Sequence, residues 1–251
     1  MDGMTASQTA RQLARAELTR AIKEAATRQL AETGAAALSL RAVARDLGLA
    51  SSALYRYFPS RDALLTALII DAFNAVGAAA ESGAASAAPA DPGAPAAPAD
   101  PGARWLAACR AVRQWALAHP HEFALVYGSP VPGYQAPTDT VDPATRVTRL
   151  MAGLVVEAHA SGLLRPPTRP LPGPRLVAQK VLDSAGGAPA EPYADLVERS
   201  LTLWIALIGT ISFELFGHLN GVITDYPGYF DAAMTVAAEA IGLHVPPLPP
   251  A

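Results

Sequence analysis

The sequence predicts an all-α protein: a small N-terminal domain of three helices, followed by a larger helical body. Three observations predict it. Apolar residues recur at spacings of three and four along most of the chain. The Val/Ile/Thr alternation and Asn-Gly turns that mark strands are essentially absent. Gly34, Pro59-Ser60 and the Pro/Gly-rich stretches 129–137 and 165–174 interrupt the periodic runs. The chain has 251 residues and is 51% hydrophobic, enough for one large domain or a small one plus a larger one.

The first helix is expected from about Thr9 to Thr33, because Leu18, Ile22, Ala26 and Leu30 make one apolar stripe. Gly34 is placed to end it in a left-handed cap. Two short helices follow, about Leu40–Leu47 and Ser51–Phe58, and Pro59-Ser60 breaks the chain again. A fourth helix runs from about Arg61 to Ala80. Residues 82–102 hold two near-copies of an Ala-Pro-Ala-Asp-Pro-Gly unit and no large apolar side chain, so a flexible Ala/Pro/Gly linker is expected there. Further helices are expected near Arg104–His119, His121–Tyr127, Asp142–Ser161, Arg175–Asp183, Tyr193–His218 and Tyr229–Leu243. The Pro-rich tail from Pro246 is expected to fray. The domains are therefore set at 8–64 and 65–245, the linker excepted.

The stretch Leu40–Leu65 carries the chemistry. Two short helices crossing steeply need an inward apolar face, and Leu40, Val43 and Leu47 supply it. They need a small residue at the close approach, Ala44, and a corner that tolerates positive φ, Gly48. Leu49 plugs the corner, and Leu54 with Phe58 forms the inward stripe of the second helix. This is the helix-turn-helix pattern. Ser51, Ser52, Ala53, Tyr55 and Arg56 are left outward, with Tyr57 on the margin. Small residues at the start of that helix let it press into a major groove, and its free N–H groups favour a phosphate. Arg56 can reach a guanine edge or a phosphate, and the two tyrosine hydroxyls can hold the backbone.

The segment from about Ala16 to Leu68 resembles the N-terminal domain of the TetR (tetracycline-repressor-like) family. The family run Leu-Tyr-x-x-Phe-x-x-Lys/Arg-x-x-Leu reads here as Leu54, Tyr55, Phe58, Arg61 and Leu64. The resemblance implies that the outward residues of the second short helix read DNA. It implies that Arg41 touches a base or phosphate and that Arg61 clamps a phosphate. Ala50 stands where the family often has Ser or Thr, so Ser51 is expected to take over the cap. Tyr57 stands where the family often has His. Arg11, Arg15 and Arg20 lie on or before the first helix, as phosphate contacts or as a solvated face.

Helix 193–218 is apolar around most of its circumference, which calls for burial on two sides. One side suits the protomer's core and the other a second copy, with Gly209 and Gly217 allowing close approach and helix 229–243 as companion. Leu207, Ile208, Ile211, Leu215, Met234, Ala237 and Ile241 are the candidate dimer contacts, in the four-helix arrangement by which the family dimerises. Trp105, His119, His121 and the run Gly128–Tyr134, with Trp204 to Gly217 further on, resemble a C-terminal domain type common among actinobacterial members. The Ala/Pro/Arg-rich composition with two lysines fits such a GC-rich source. In the family a mostly apolar pocket admits a small-molecule effector, and Trp115, Phe123, Tyr127, Met151, Val155 and Trp204 are the candidate liners.

Charge and composition narrow the alternatives. Residues 1–64 carry a balance of +3 and the remainder −6, as a localised DNA contact on an acidic body would. Cys109 is alone, so it forms no intrachain disulfide and is read as a small buried apolar residue. His119 and His121 lack a close Cys or Asp, so no metal and no cofactor is expected. The longest apolar candidate, Leu201–Ile211, is short of the roughly 18 residues of a membrane span. A cytoplasmic regulator is expected: a repressor that binds a palindromic operator as a homodimer and is released by an effector. The alternative is an α-helical enzyme or a partner-binding protein without DNA affinity. No phosphate loop, nucleophile elbow or HExxH pair speaks for the enzyme.

Overall fold

The computed structural model describes residues 2–87, 100–169, 171, 176–184, 187 and 189–246, with side chains 2–9 excepted. Among the described residues there are eleven α-helices and no named strand, the all-α class the sequence predicts, with the single helix expected at 142–161 divided in two. In order they are α1 Asp2–Thr33, α2 Leu40–Asp46, α3 Ser51–Leu54, α4 Arg61–Ser86, α5 Pro101–Ala118, α6 Pro120–Tyr127, α7 Val141–Ala144, α8 Arg146–Ala160, α9 Gln179–Ser184, α10 Leu196–Leu215 and α11 Tyr226–Ala240. The linker expected at 82–102 is helical at both ends, since α4 runs to Ser86 and α5 starts at Pro101. Its centre, 88–99, lies outside the described residues.

The chain forms two compact units, 1–74 with 119–144, and 75–118 with 145–251. α4 contributes its first half to one and its second half to the other. The break between 118 and 119 has a local cause: Pro120 opens α6 and donates no backbone hydrogen bond to continue α5.

In the N-terminal unit, Ile22, Ala25, Ala26 and Leu30 of α1 pack with Leu40, Val43 and Ala44, with Leu54 and Phe58, and with Leu64, Leu65, Leu68 and Ile69. Leu125, Val126, Val131 and Tyr134 lie against this core. The Tyr134 hydroxyl is 2.9 Å from Thr66 Oγ1. The stretch 119–144, expected in the body, thus belongs with the helix-turn-helix. Its apolar side chains cover the flank of that core, which sequence order alone does not show.

In the second unit α5 is the central helix. It buries Trp105, Leu106, Ala108, Cys109, Val112, Trp115 and Ala116. Its three arginines tie it to three neighbours: Arg104 to Glu157 on α8, Arg110 to Asp231 on α11, and Arg113 to Glu214 on α10. Gly83 of α4 permits a close approach to α5, since an added Cβ would lie 2.6 Å from Ala111 Cβ. Cys109 is fully buried, and burial pushes its thiol well above the ordinary range, consistent with an unreactive role in packing. Asp225 caps the start of α11, its carboxylate accepting from Gly228 N at 3.1 Å. The helix therefore begins earlier than the sequence suggested.

α10 differs from its expected role. It buries one stripe, Leu196, Leu203, Leu207 and Ile211, and leaves Leu201, Ile205, Phe213 and Phe216 exposed. By length and composition α4 and α10 are both long and apolar enough to cross a membrane. This departs from the sequence estimate, which measured uninterrupted apolar runs rather than whole helices.

Candidate nucleic-acid interface

Local hydrogen bonds fix the corner between α2 and α3. Leu49 N donates to Ala44 O at 2.8 Å, and Gly48 N donates to Arg45 O at 3.0 Å. This pair is the Schellman pattern, with Gly48 at φ 66°. The left-handed backbone costs an L-residue about 1–2 kcal/mol, which a glycine avoids. Leu49 closes the corner against the core. At the end of α1, Gly34 N likewise donates to Leu30 O at 3.0 Å. Gly34 sits at φ 77°, ψ 165°, in the glycine-only region rather than the left-handed helical one.

The start of α2 is anchored from outside. Ser39 N donates to Gln29 Oε1 at 2.9 Å, so a side chain of α1 fixes where α2 begins. α3 has Ala50 at its N-cap and no side-chain cap hydrogen bond, so Ser51 does not take over that role. Regular helix covers only Ser51–Leu54, but Phe58 N still donates to Leu54 O at 3.1 Å. The helical turn thus carries through the tyrosines. Ser60 then caps α4 by accepting from Ala63 N at 3.0 Å.

The two faces of this segment separate sharply. Leu54 is 0% and Phe58 7% exposed, and both are in the core. Tyr55 is 44% exposed, and Ser52 and Arg56 are exposed beside it. Ser51, Ala53 and Tyr57 are half-buried. Arg41 on α2 is also exposed. Arg61 is placed differently. Its Nη2 donates to the carbonyls of Ala35 and Ala36 at 3.0 and 3.2 Å, and Nη1 lies 3.3 Å from Asp62. It ties the turn after α1 to the start of α4. Arg15 of α1 sits over the Tyr57 ring at 5.6 Å, a contact between segments that are far apart in sequence.

The candidate effector liners do not gather in one unit. Phe123 and Tyr127 belong to the N-terminal unit. There Tyr127 stacks on Phe123 at 5.0 Å and meets Phe73 edge-on at 5.8 Å. Burial pushes the Tyr127 hydroxyl well above the ordinary phenol range. Trp115, Met151 and Val155 are buried in the second unit, and Trp204 is half-buried there. Trp105, not among the expected liners, is fully buried, and its Nε1 has no hydrogen-bond partner among the described residues. Among the described residues no three His, Cys, Asp or Glu side chains gather as metal ligands.

The expected dimer contacts need correction. Leu207, Ile211, Met234 and Ile241 are 0–2% exposed within a single chain, so they fill the protomer's own core. Ile208, Leu215 and Ala237 are half-buried. The outward apolar residues are Leu201, Ile205 and Phe213 on α10, Phe216 at its C-cap, and Tyr229 and Val236 on α11. Gly217 ends α10 at φ 76°, and Gly209 lines a shallow groove of about 240 Å³ with Ile205, Phe213 and Tyr229.

A helix-turn-helix with an outward tyrosine and arginine defines a DNA-binding regulator. The comparisons agree. Residues 22–68 match the family of bacterial regulatory proteins of tetR type, and residues 105–237 match the tetracyclin repressor-like C-terminal domain. The chain belongs to the TetR family and is a transcriptional regulator with a helix-turn-helix DNA-binding domain. It is 37% identical over 233 residues to the HTH-type transcriptional regulator Rv1816 of Mycobacterium tuberculosis, covering 92% of this chain and 95% of that one. Among solved structures, the regulatory protein SCO4313 aligns with a TM-score of 0.66 at 30% identity, covering 91% of this chain and 98% of that one. RolR, solved in complex with resorcinol, aligns with a TM-score of 0.50 at 18% identity, covering 95% and 98%.

Proposed function

We propose that this regulator is a repressor. It binds a palindromic operator as a homodimer through the outward face of α3, and a small-molecule effector releases it. One observation carries the reading: Leu54 and Phe58 anchor the segment inward while Ser52, Tyr55 and Arg56 stand free on its other side. In this arrangement the core fixes the reading side chains, and none of the three is needed to hold the fold together. Ser51, Ala53 and Tyr57 flank the same face, and Arg41 extends it. Arg61 acts on DNA indirectly, by holding the turn Ala35–Ala37.

A second copy is the partner that fits the exposed apolar face of α10 and α11. Ile205, at 66% exposure, lies with Phe213 and Tyr229 along one groove, and such a contiguous exposed apolar surface is what marks an interaction site. Two recognition segments would then enter successive major grooves about 34–36 Å apart. The effector reading rests on the aromatic interior of the second unit, around Trp115, Met151 and Val155. Elsewhere in the same unit the buried Trp105 Nε1 is a donor that a ligand oxygen would satisfy. RolR holds resorcinol, a compact aromatic with hydroxyls, and the same class of ligand is the effector proposed here. The effector acts only through unequal affinity for the DNA-competent and DNA-incompetent states.

The test is Arg56→Ala on an operator duplex selected by the wild-type protein from random sequence. Loss of a bidentate base contact weakens binding by about 1–3 kcal/mol and relaxes specificity at one position. Unchanged affinity and specificity would remove Arg56 from the reading surface.

A further inference from the structure

The stripe of α1 that faces the core changes character where the core ends. Ile22 is the first fully buried residue of the helix, and residues 10–17 are all exposed. Arg15 and Arg11 lie seven and eleven residues before Ile22, about two and about three helical turns. They therefore continue the same side of the helix as Ile22, Ala26 and Leu30, but beyond the body it packs on. An apolar stripe has become a pair of arginines i,i+4 apart on about 16 Å of overhanging helix. Like charges at that spacing disfavour the isolated helix, so helix stability gives no reason for the pair.

The overhang is aimed. Arg15 lies on the Tyr57 ring, at the end of the recognition segment. A guanidinium held over an aromatic ring by a cation–π contact keeps N–H donors available to an acceptor. By contrast Arg20, two residues before Ile22, lies off that stripe, along the groove it shares with Arg15 and Lys23, and is paired with Glu24 at 2.6 Å.

We propose that the N-terminal overhang of α1 is a second DNA contact: Arg11 and Arg15 hold backbone phosphates beside the base-reading face. Resting on the DNA-binding reading above, the inference adds sequence-independent affinity and a larger footprint, and no base discrimination.

Because phosphate contacts do not depend on sequence, a mixed-sequence duplex of about three helical turns serves as the probe. Binding is followed by fluorescence anisotropy between about 50 and 200 mM salt, where each phosphate contact contributes about 0.9 to the log–log slope. Arg11→Ala/Arg15→Ala is expected to flatten the slope by about 2 for each protomer engaged. The affinity lost across that range then shrinks about twelvefold for each protomer engaged. Arg11→Lys/Arg15→Lys keeps the slope, and so does Arg20→Ala. On the selected operator the double alanine variant keeps its preference for operator over mixed sequence. Arg11→Ala alone, at an exposed position, gives half the effect and serves if the double variant folds poorly. A wild-type slope retained by both alanine variants would overturn the proposal. If the wild-type protein shows no salt-dependent binding at all, the DNA-binding reading itself fails, a different result.

Discussion

The contact between Arg113 and Glu214 is the most exacting test of how the second unit is held together. The guanidinium grips the carboxylate with two hydrogen bonds, Nε to Oε2 at 2.7 Å and Nη2 to Oε1 at 2.5 Å. The two side chains are only 13% and 12% exposed, and Arg113 also lies over the Phe230 ring at 5.4 Å. Removing one partner leaves the other charge buried and unpaired, which costs about 3–5 kcal/mol. At about 2–4 °C per kcal/mol for a chain of this size, Glu214→Leu or Arg113→Met should lower the melting temperature by roughly 6–20 °C. Replacing both removes the need for a pair, so Arg113→Met/Glu214→Leu should recover to within about 1 kcal/mol of wild type or exceed it. Urea melts of the four proteins, followed by circular dichroism, supply the double-mutant cycle. If the double variant is destabilised by the sum of the two singles, the pair does not interact as described, and α5 is not bolted to α10 through it.

Two further outcomes follow from the geometry. Ile205→Glu, on the outward face of α10, should convert the assembly to folded monomer in sedimentation, whereas Leu207→Glu, at 1% exposure, should unfold the second unit; the reverse result would restore Leu207 as an interface residue. Arg199 beside Asp195 and Arg146 beside Glu81 hold both carboxyls below their ordinary values of 3.8 and 4.5. Their contribution to stability is therefore complete above those values and is lost as the pH falls through the lowered ones. Asp195→Asn should flatten the acid limb of a plot of urea midpoint against pH, and an unchanged limb would contradict the shift.

Much of the recognition segment was legible because its determinants are local. The corner bonds join residues three and five apart, Leu49 to Ala44 and Gly48 to Arg45, so glycine at 48 and small or apolar neighbours suffice to announce them. The inward set Leu54 and Phe58 follows from helical spacing alone, and it leaves Tyr55 and Arg56 outward without further information. Arg61 was harder: its carbonyl partners lie 26 and 25 residues away in a turn whose sequence, Ala35–Ala37, carries no signal of the contact. The cation–π contact of Arg15 with Tyr57 escaped for the same reason.

The sequence by itself determined the helical class, the breaks on either side of α2 and α3, the glycine corner and the side of α3 that is free to meet DNA. All of these depend on backbone conformation and periodicity within a few residues. The tertiary structure decided which of several apolar faces meets which partner. A helix such as α10, apolar nearly all round, gives no phase by which to tell core from interface, so Leu207 and Ile211 turn inward and Ile205 and Phe213 outward only once α5 and α11 are in place. It also decided that 119–144 joins the N-terminal unit. Arg113 finds Glu214 across 101 residues of chain, because burial and charge pairing are settled between elements rather than along them.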